Sequence, residues 1–159
     1  MAETLSRTRF TDLTQRTGPI PDAELDELWA TLPPVGIEEI LGEWKGGEFR
    51  TGHRANGLLE KGRWFGKTFN SATDAKPLIC LDEHGNTFSN TEWMKGEASL
   101  WMERFRGEVT ATMVYDGVPI HDHFKKVDDD TLMGIMNGKG ALDFSSGTGR
   151  HLYFYLQRV

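Results

Sequence analysis

The sequence contains one cysteine, Cys80, set between apolar neighbours in "PLICLD". One thiol cannot build a disulfide framework, so a reducing compartment, the cytoplasm, is expected. No His or Lys sits beside Cys80, and a buried structural thiol is the expected role. Long apolar runs are also missing. No stretch approaches the roughly 18 residues needed to cross a bilayer, so stable membrane insertion is not expected. The opening "MAETLSRTRFTDLTQRTG" has no apolar central region, and a secretory signal is not expected either. Basic charge is scarce: 18 Lys and Arg against 24 Asp and Glu leave a net charge of −6. That balance opposes sequence-independent binding to a phosphate backbone, so no nucleic-acid partner is expected. Internal repeats are absent, and no βαβ alternation follows the first helical segments.

The chain of 159 residues is long enough to bury one core without staples. One folded unit is expected, in three stretches. Residues 1–21 read as a polar, partly disordered lead with Phe10 and Leu13 as docking points. Residues 22–95 read as a helical cap followed by strands, and residues 96–159 as the remaining strands of the same body. Leu25, Leu28, Trp29 and Leu32 follow helical spacing after Pro21, with Asp22 as the expected N-cap and Pro33-Pro34 as the stop. A second short helix is expected over 35–41, ended by Gly42. From there the apolar period shortens. "EWKGGEFRTG", "KPLICLD", the hairpin "GEASLWMERFRG"/"EVTATMVYDG", "VPIHDHFKKV", "TLMGIMNG" and "RHLYFYLQRV" read as strands with tight turns between them, and "ANGLLEKG" as a helical turn at Leu58 and Leu59. Sequential strands with short turns favour an antiparallel barrel or sandwich.

Three runs in order carry a family resemblance. "GEWKG", "GRWFGKTF" and "KPL" are similar to the bacterial GXWXG protein family. "RGEVTATMVYDGVPIHDHFKKVDDDTLMGIMNGKG", closing on "YFYLQR", resembles that family's companion domain of unknown function. The family pattern carries aspartate where this chain has Asn137 and arginine where it has Lys125. The chain also resembles, more loosely, lipocalin-like barrels, whose first strand opens on Gly-x-Trp. That likeness implies that Trp44 closes one end of a small antiparallel β-barrel with short N-terminal helices, stacked beneath Arg158 of the last strand.

The polar candidates divide by strand parity. His121 and His123 in "PIHDHF" project from one face, and Ile120, Asp122 and Phe124 from the other. His-x-His is a workable metal platform, but no further ligand stands at metal spacing, so neither metal nor cofactor is expected. "NGKGALDFSSGTG" lacks phosphate-loop spacing and reads as a loop at a barrel mouth. In "GRWFGKTF" aromatics surround one cation. The leading expectation is a small apolar or amphipathic ligand, a fatty acid or phospholipid-like molecule, held in the barrel or at its mouth. Lys67, Tyr115, His121 and His123 would meet its polar end, and Trp64, Phe69, Met113 and Phe124 its tail. The rival is an enzyme of lipid or small-molecule metabolism, with His121 or His123 as base and Asp116 or Asp122 orienting it. A third is an interaction barrel without ligand. A homodimer is compatible with all three.

Overall fold

A computed structural model describes all residues from Met1 to Val159. Two helices come first, α1 (Ala2–Thr14) and α2 (Asp22–Thr31), followed by a 3-10 turn at Ile37–Ile40. Nine strands follow: β1 (Gly42–Glu48), β2 (Trp64–Ser71), β3 (Asp74–Leu81), β4 (Thr87–Ser89), β5 (Ala98–Phe105), β6 (Glu108–Tyr115), β7 (His121–Asp128), β8 (Thr131–Asn137) and β9 (Leu152–Arg158). A one-turn helix α3 (Leu58–Lys61) lies between β1 and β2. All pairings are antiparallel. The order β2-β1-β9-β8-β7-β6-β5-β3 closes through β2–β3 into an eight-stranded barrel, with β4 added outside on β3. Closure leaves β1 and β9 paired, so the first and last strands have no free edge between them.

Pleating separates two cores. Trp44, Phe69, Met113, Tyr115, Phe124, Leu132, Met136, Leu152, Phe154 and Leu156 turn inward and fill the barrel. Val127, Met133, Ile135 and Tyr153 turn outward and meet Phe10, Leu13, Leu25, Leu28 and Trp29 of the helices. Strands β7 to β9 are therefore covered on both sides. This accounts for the unbroken apolar run "TLMGIM", every residue of which is buried. Lys125 belongs to the outer layer: its Nζ donates to the Trp29 carbonyl at 3.1 Å near the end of α2 and pairs with Glu108. A cation there also complements the negative end of the helix.

Three expectations change. Residues 2–14 form a helix, not a partly disordered lead, because Ser6, Phe10 and Leu13 recur on one face and all three are buried. The helix is held by this docking more than by its own polar sequence. Asp22 is the first residue of α2, not its cap. Its carboxylate instead receives the Arg150 guanidinium at 2.9 and 3.0 Å. "GRWFGKTF", absent from the expected strands, forms the body of β2. Its bulged register, with shifts between Trp64, Gly66 and Thr68, obscured the strand alternation.

The closed end is built on the GXWXG motif. Trp44 and Arg158 are direct cross-strand partners, and the guanidinium carbon stands 4.2 Å from the indole centroid. The indole donates to the Ile40 carbonyl at 2.8 Å. Arg158 reaches on to the carbonyls of Leu41 and Glu39, each at 2.9 Å. Gly42 takes φ +126°, a conformation side chains rarely adopt, where the 3-10 turn becomes β1. Gly46 has a packing role. It leaves room for the Trp64 ring, whose nearest atom stands 2.0 Å from where a Cβ would lie.

Candidate functional site

The barrel interior is packed, from Trp44 at the floor to Ile120, Met136 and Leu152 at the other end. Phe69, Phe124 and Phe154 form a ladder of tilted and edge-on ring contacts, 5.7 and 5.9 Å between centroids. Trp64 adds an edge contact to Phe154. Above this layer lies an ion pair. Lys67 projects from β2 and Asp122 from β7, and both side chains are almost wholly buried, at 2% and 0% exposure. Nζ stands 3.0 Å from Asp122 Oδ2, and the carboxylate has no other hydrogen-bond partner. Lys67 is otherwise served. It donates to the Tyr115 hydroxyl and the Pro77 carbonyl at 3.4 Å each, and lies 5.3 to 5.5 Å from the Trp64, Tyr115 and Phe154 ring centroids.

Burial works on both partners in the direction of neutrality. It lowers the affinity of Lys67 for its proton and raises that of Asp122, while their mutual attraction opposes both effects. The same burial pushes the Tyr115 phenol well above its ordinary value, so it stays protonated.

The open end carries an apolar cleft of about 310 Å³. Nine of its twelve lining residues are hydrophobic, among them Leu58 and Leu59 of α3, Trp93 and Met94 of the β4–β5 loop, and Ile120, Met136 and Leu152 of the barrel rim. His53 and Arg54 line the same edge. His53 is locked into one neutral tautomer: Nε2–H donates to the Ala141 carbonyl and Nδ1 accepts from the Ala55 amide, at 2.9 and 3.0 Å. Ile120 precedes Asp122 by two residues, and Met136 is the cross-strand partner of Asp122 on β8. The floor of the cleft thus lies next to the buried ion pair. At the closed end a second hollow, about 210 Å³, is walled by Glu39, Lys126, Asp128, Asp129 and Arg158 and offers little apolar surface.

Of the residues expected to share a site, Trp64, Lys67, Phe69, Met113, Tyr115 and Phe124 face the barrel interior, and Lys67 meets Tyr115 and Trp64. His121 and His123 do not join them. The pleat puts them on the outer wall, where His121 Nδ1 contacts Glu103 Oε2 at 2.7 Å. His123 lies flat on Phe105, 4.1 Å between ring centroids, between Thr112 and Asn137. The expected orienting carboxylates are elsewhere for the same reason. Asp122 points inward, and Asp116 is exposed in the turn after β6. Lys67 is not free for a ligand carboxylate, because Asp122 already holds it. The cleft itself was missed. "GLLEKG" and "NTEWMKG" carry its apolar rim, but only closure of the barrel brings them against Ile120 and Leu152.

His123 has a testable consequence. Asn137 Nδ2–H donates to Nε2, so Nδ1–H faces the Thr112 hydroxyl, which in turn donates to the Thr110 carbonyl. This neutral chain disfavours a further proton. Burial, then nearby His121, His151 and Arg106, hold His123 near a pKa of about 4. The unfolded chain titrates near 6.5. As pH falls from about 6.5 to about 4, the unfolded state gains a proton that the folded state refuses. Stability should therefore drop across that window, by up to about 3 kcal/mol. Asn137→Asp places an anion at Nε2 and should raise the His123 midpoint by about 1–2 pH units in an NMR titration. An unchanged midpoint would contradict this assignment.

Residues 27–85 match the GXWXG protein family, and residues 96–158 match a domain of unknown function (DUF4334). A crystal structure of a protein from Thermomonospora curvata is 35% identical over 97% of this chain and 98% of that one, with a TM-score of 0.84. No curated protein is similar to the chain. A barrel floored by Trp44 and Arg158, with both matches falling in order along one closed sheet, makes this chain a member of the GXWXG family carrying its companion DUF4334 domain.

Proposed function

We propose that the protein binds one small apolar or amphipathic molecule at the open end of its barrel. The supporting observation is the cleft of about 310 Å³, apolar on most of its wall and backed by a buried polar pair. Clefts of this size, apolar with a few fixed polar groups, are the usual form of small-ligand sites. The filled barrel interior restricts the ligand to the mouth. A single acyl chain fits that description better than a whole phospholipid. A cytoplasmic setting, where Cys80 stays reduced, belongs to this reading. Neither nucleic acid nor a bilayer does.

The enzymatic alternative finds less support. His121 and His123 have no contact with Asp116 or Asp122, and no three His, Cys, Asp or Glu side chains converge as metal ligands would.

The test is a fluorescence titration with the neutral apolar probe N-phenyl-1-naphthylamine. One molecule should bind per chain. Ala55→Trp, which fills the cleft wall, should weaken binding at least tenfold with the fold retained. Trp101→Ala should leave it unchanged, since Trp101 is 59% exposed on the outer wall. Loss of binding in Trp101→Ala, or none in Ala55→Trp, would move the site off the mouth.

A further inference from the structure

Resting on the reading of the mouth as a ligand site, we propose that its base recognises a neutral hydrogen-bond donor, an alcohol or a primary amide, and discriminates against both carboxylates and amine cations. Two counts lead there. The first is of hydrogen bonds. The Lys67 ammonium has three protons and three oxygen neighbours, Asp122 Oδ2, Tyr115 Oη and the Pro77 carbonyl. The Asp122 carboxylate offers about four acceptor positions and meets only the Lys67 ammonium, at Oδ2. The cluster is short of donors. Tyr115 Oη accepts from Lys67 and keeps its own proton to give. One ligand hydroxyl can donate to Asp122 and accept from Tyr115, and so complete both.

The second count is of charge. Lys67 and Asp122 sum to zero whichever holds the shared proton. A carboxylate or an ammonium brought beside them would stand as an unneutralised charge in a buried place. Arg54 is the one permanently charged side chain lining the cleft. It is exposed, and one guanidinium nitrogen already reaches the Leu142 carbonyl at 3.3 Å. A solvent-screened pair at that rim adds little.

The route from mouth to base is short. Met136, on the cleft floor, pairs across the strands with Asp122, and Met113 flanks Asp122 on the other side. Unbranched methionine side chains with three rotatable bonds can rotate aside to admit a head group.

The test compares 1-octanol, octanoate and octylammonium by calorimetry at pH 8. Wild-type protein should bind octanol at least tenfold tighter than either ion, the effect of one hydrogen bond to a charged acceptor. Equal or tighter binding of either ion would overturn the inference. The double variant Lys67→Met with Asp122→Leu should bind octanol at least tenfold more weakly, and an unchanged affinity would equally overturn it. Tyr115→Phe, which removes only the hydroxyl, supplies the same readout if the double variant does not fold. Should no ligand bind, N-phenyl-1-naphthylamine included, the mouth reading itself fails. Binding without selectivity would overturn only the inference drawn here.

Discussion

Lys67→Met should destabilise the fold by about 3–5 kcal/mol, because it strands a buried carboxylate without its counter-ion. Asp122 is wholly buried and has no hydrogen-bond or ion-pair partner besides Lys67, so no other such contact compensates its charge. The cost should depend on pH in a defined direction. Without Lys67 the folded-state pKa of Asp122 stands above its unfolded value near 4. The penalty is then absent below about pH 4, where both states are protonated, and grows as pH rises toward the raised folded value. Adding Asp122→Leu should recover most of the loss, since a buried pair replaced by apolar groups of similar volume is often neutral or stabilising. Urea denaturation of the single and double variants at pH 5 and pH 8 measures all of this. A single-variant cost below about 1 kcal/mol at pH 8 would mean that the pair is hydrated in solution.

Trp44→Ala should cost about 3–5 kcal/mol, the range for deleting a large buried aromatic side chain. The indole is 1% exposed, lies over the floor of the barrel and donates to the Ile40 carbonyl. Its removal opens the closed end and leaves Arg158 with its carbonyl partners and a loose pair to Asp130. Arg158→Met should cost less, because that side chain is partly solvated and keeps an apolar stem. A double-mutant cycle over the two positions should return a coupling of about 0.5–2 kcal/mol, the cation–π range for a guanidinium on an indole. Additive effects would show that the stack contributes shape but no interaction energy.

Much of the fold could be read in the sequence because its signals are local. "RHLYFYLQRV" reads as a strand and is β9, while the Trp44–Arg158 closure was implied by the likeness to lipocalin-like barrels. The lapses share a different cause. The helix at 2–14 has a weak apolar face of its own and depends on the outer wall for its contacts. β2 hides behind bulged register at Trp64 and Gly66. The site was harder still. Parity separated the histidines from Phe124 in advance, but no spacing rule links Lys67 with Asp122. They sit fifty-five residues apart on strands from different parts of the barrel and meet only across its interior. The mouth is likewise non-local, with walls from α3, the β4–β5 loop and the rims of β7, β8 and β9.

The most direct test of the central claim, that the open mouth holds one small molecule, is native mass spectrometry after incubation with 1-octanol. A single one-to-one adduct is expected on the wild-type chain, and its loss in Ala55→Trp. A wild-type spectrum of bare protein, or identical adducts on both chains, would contradict it.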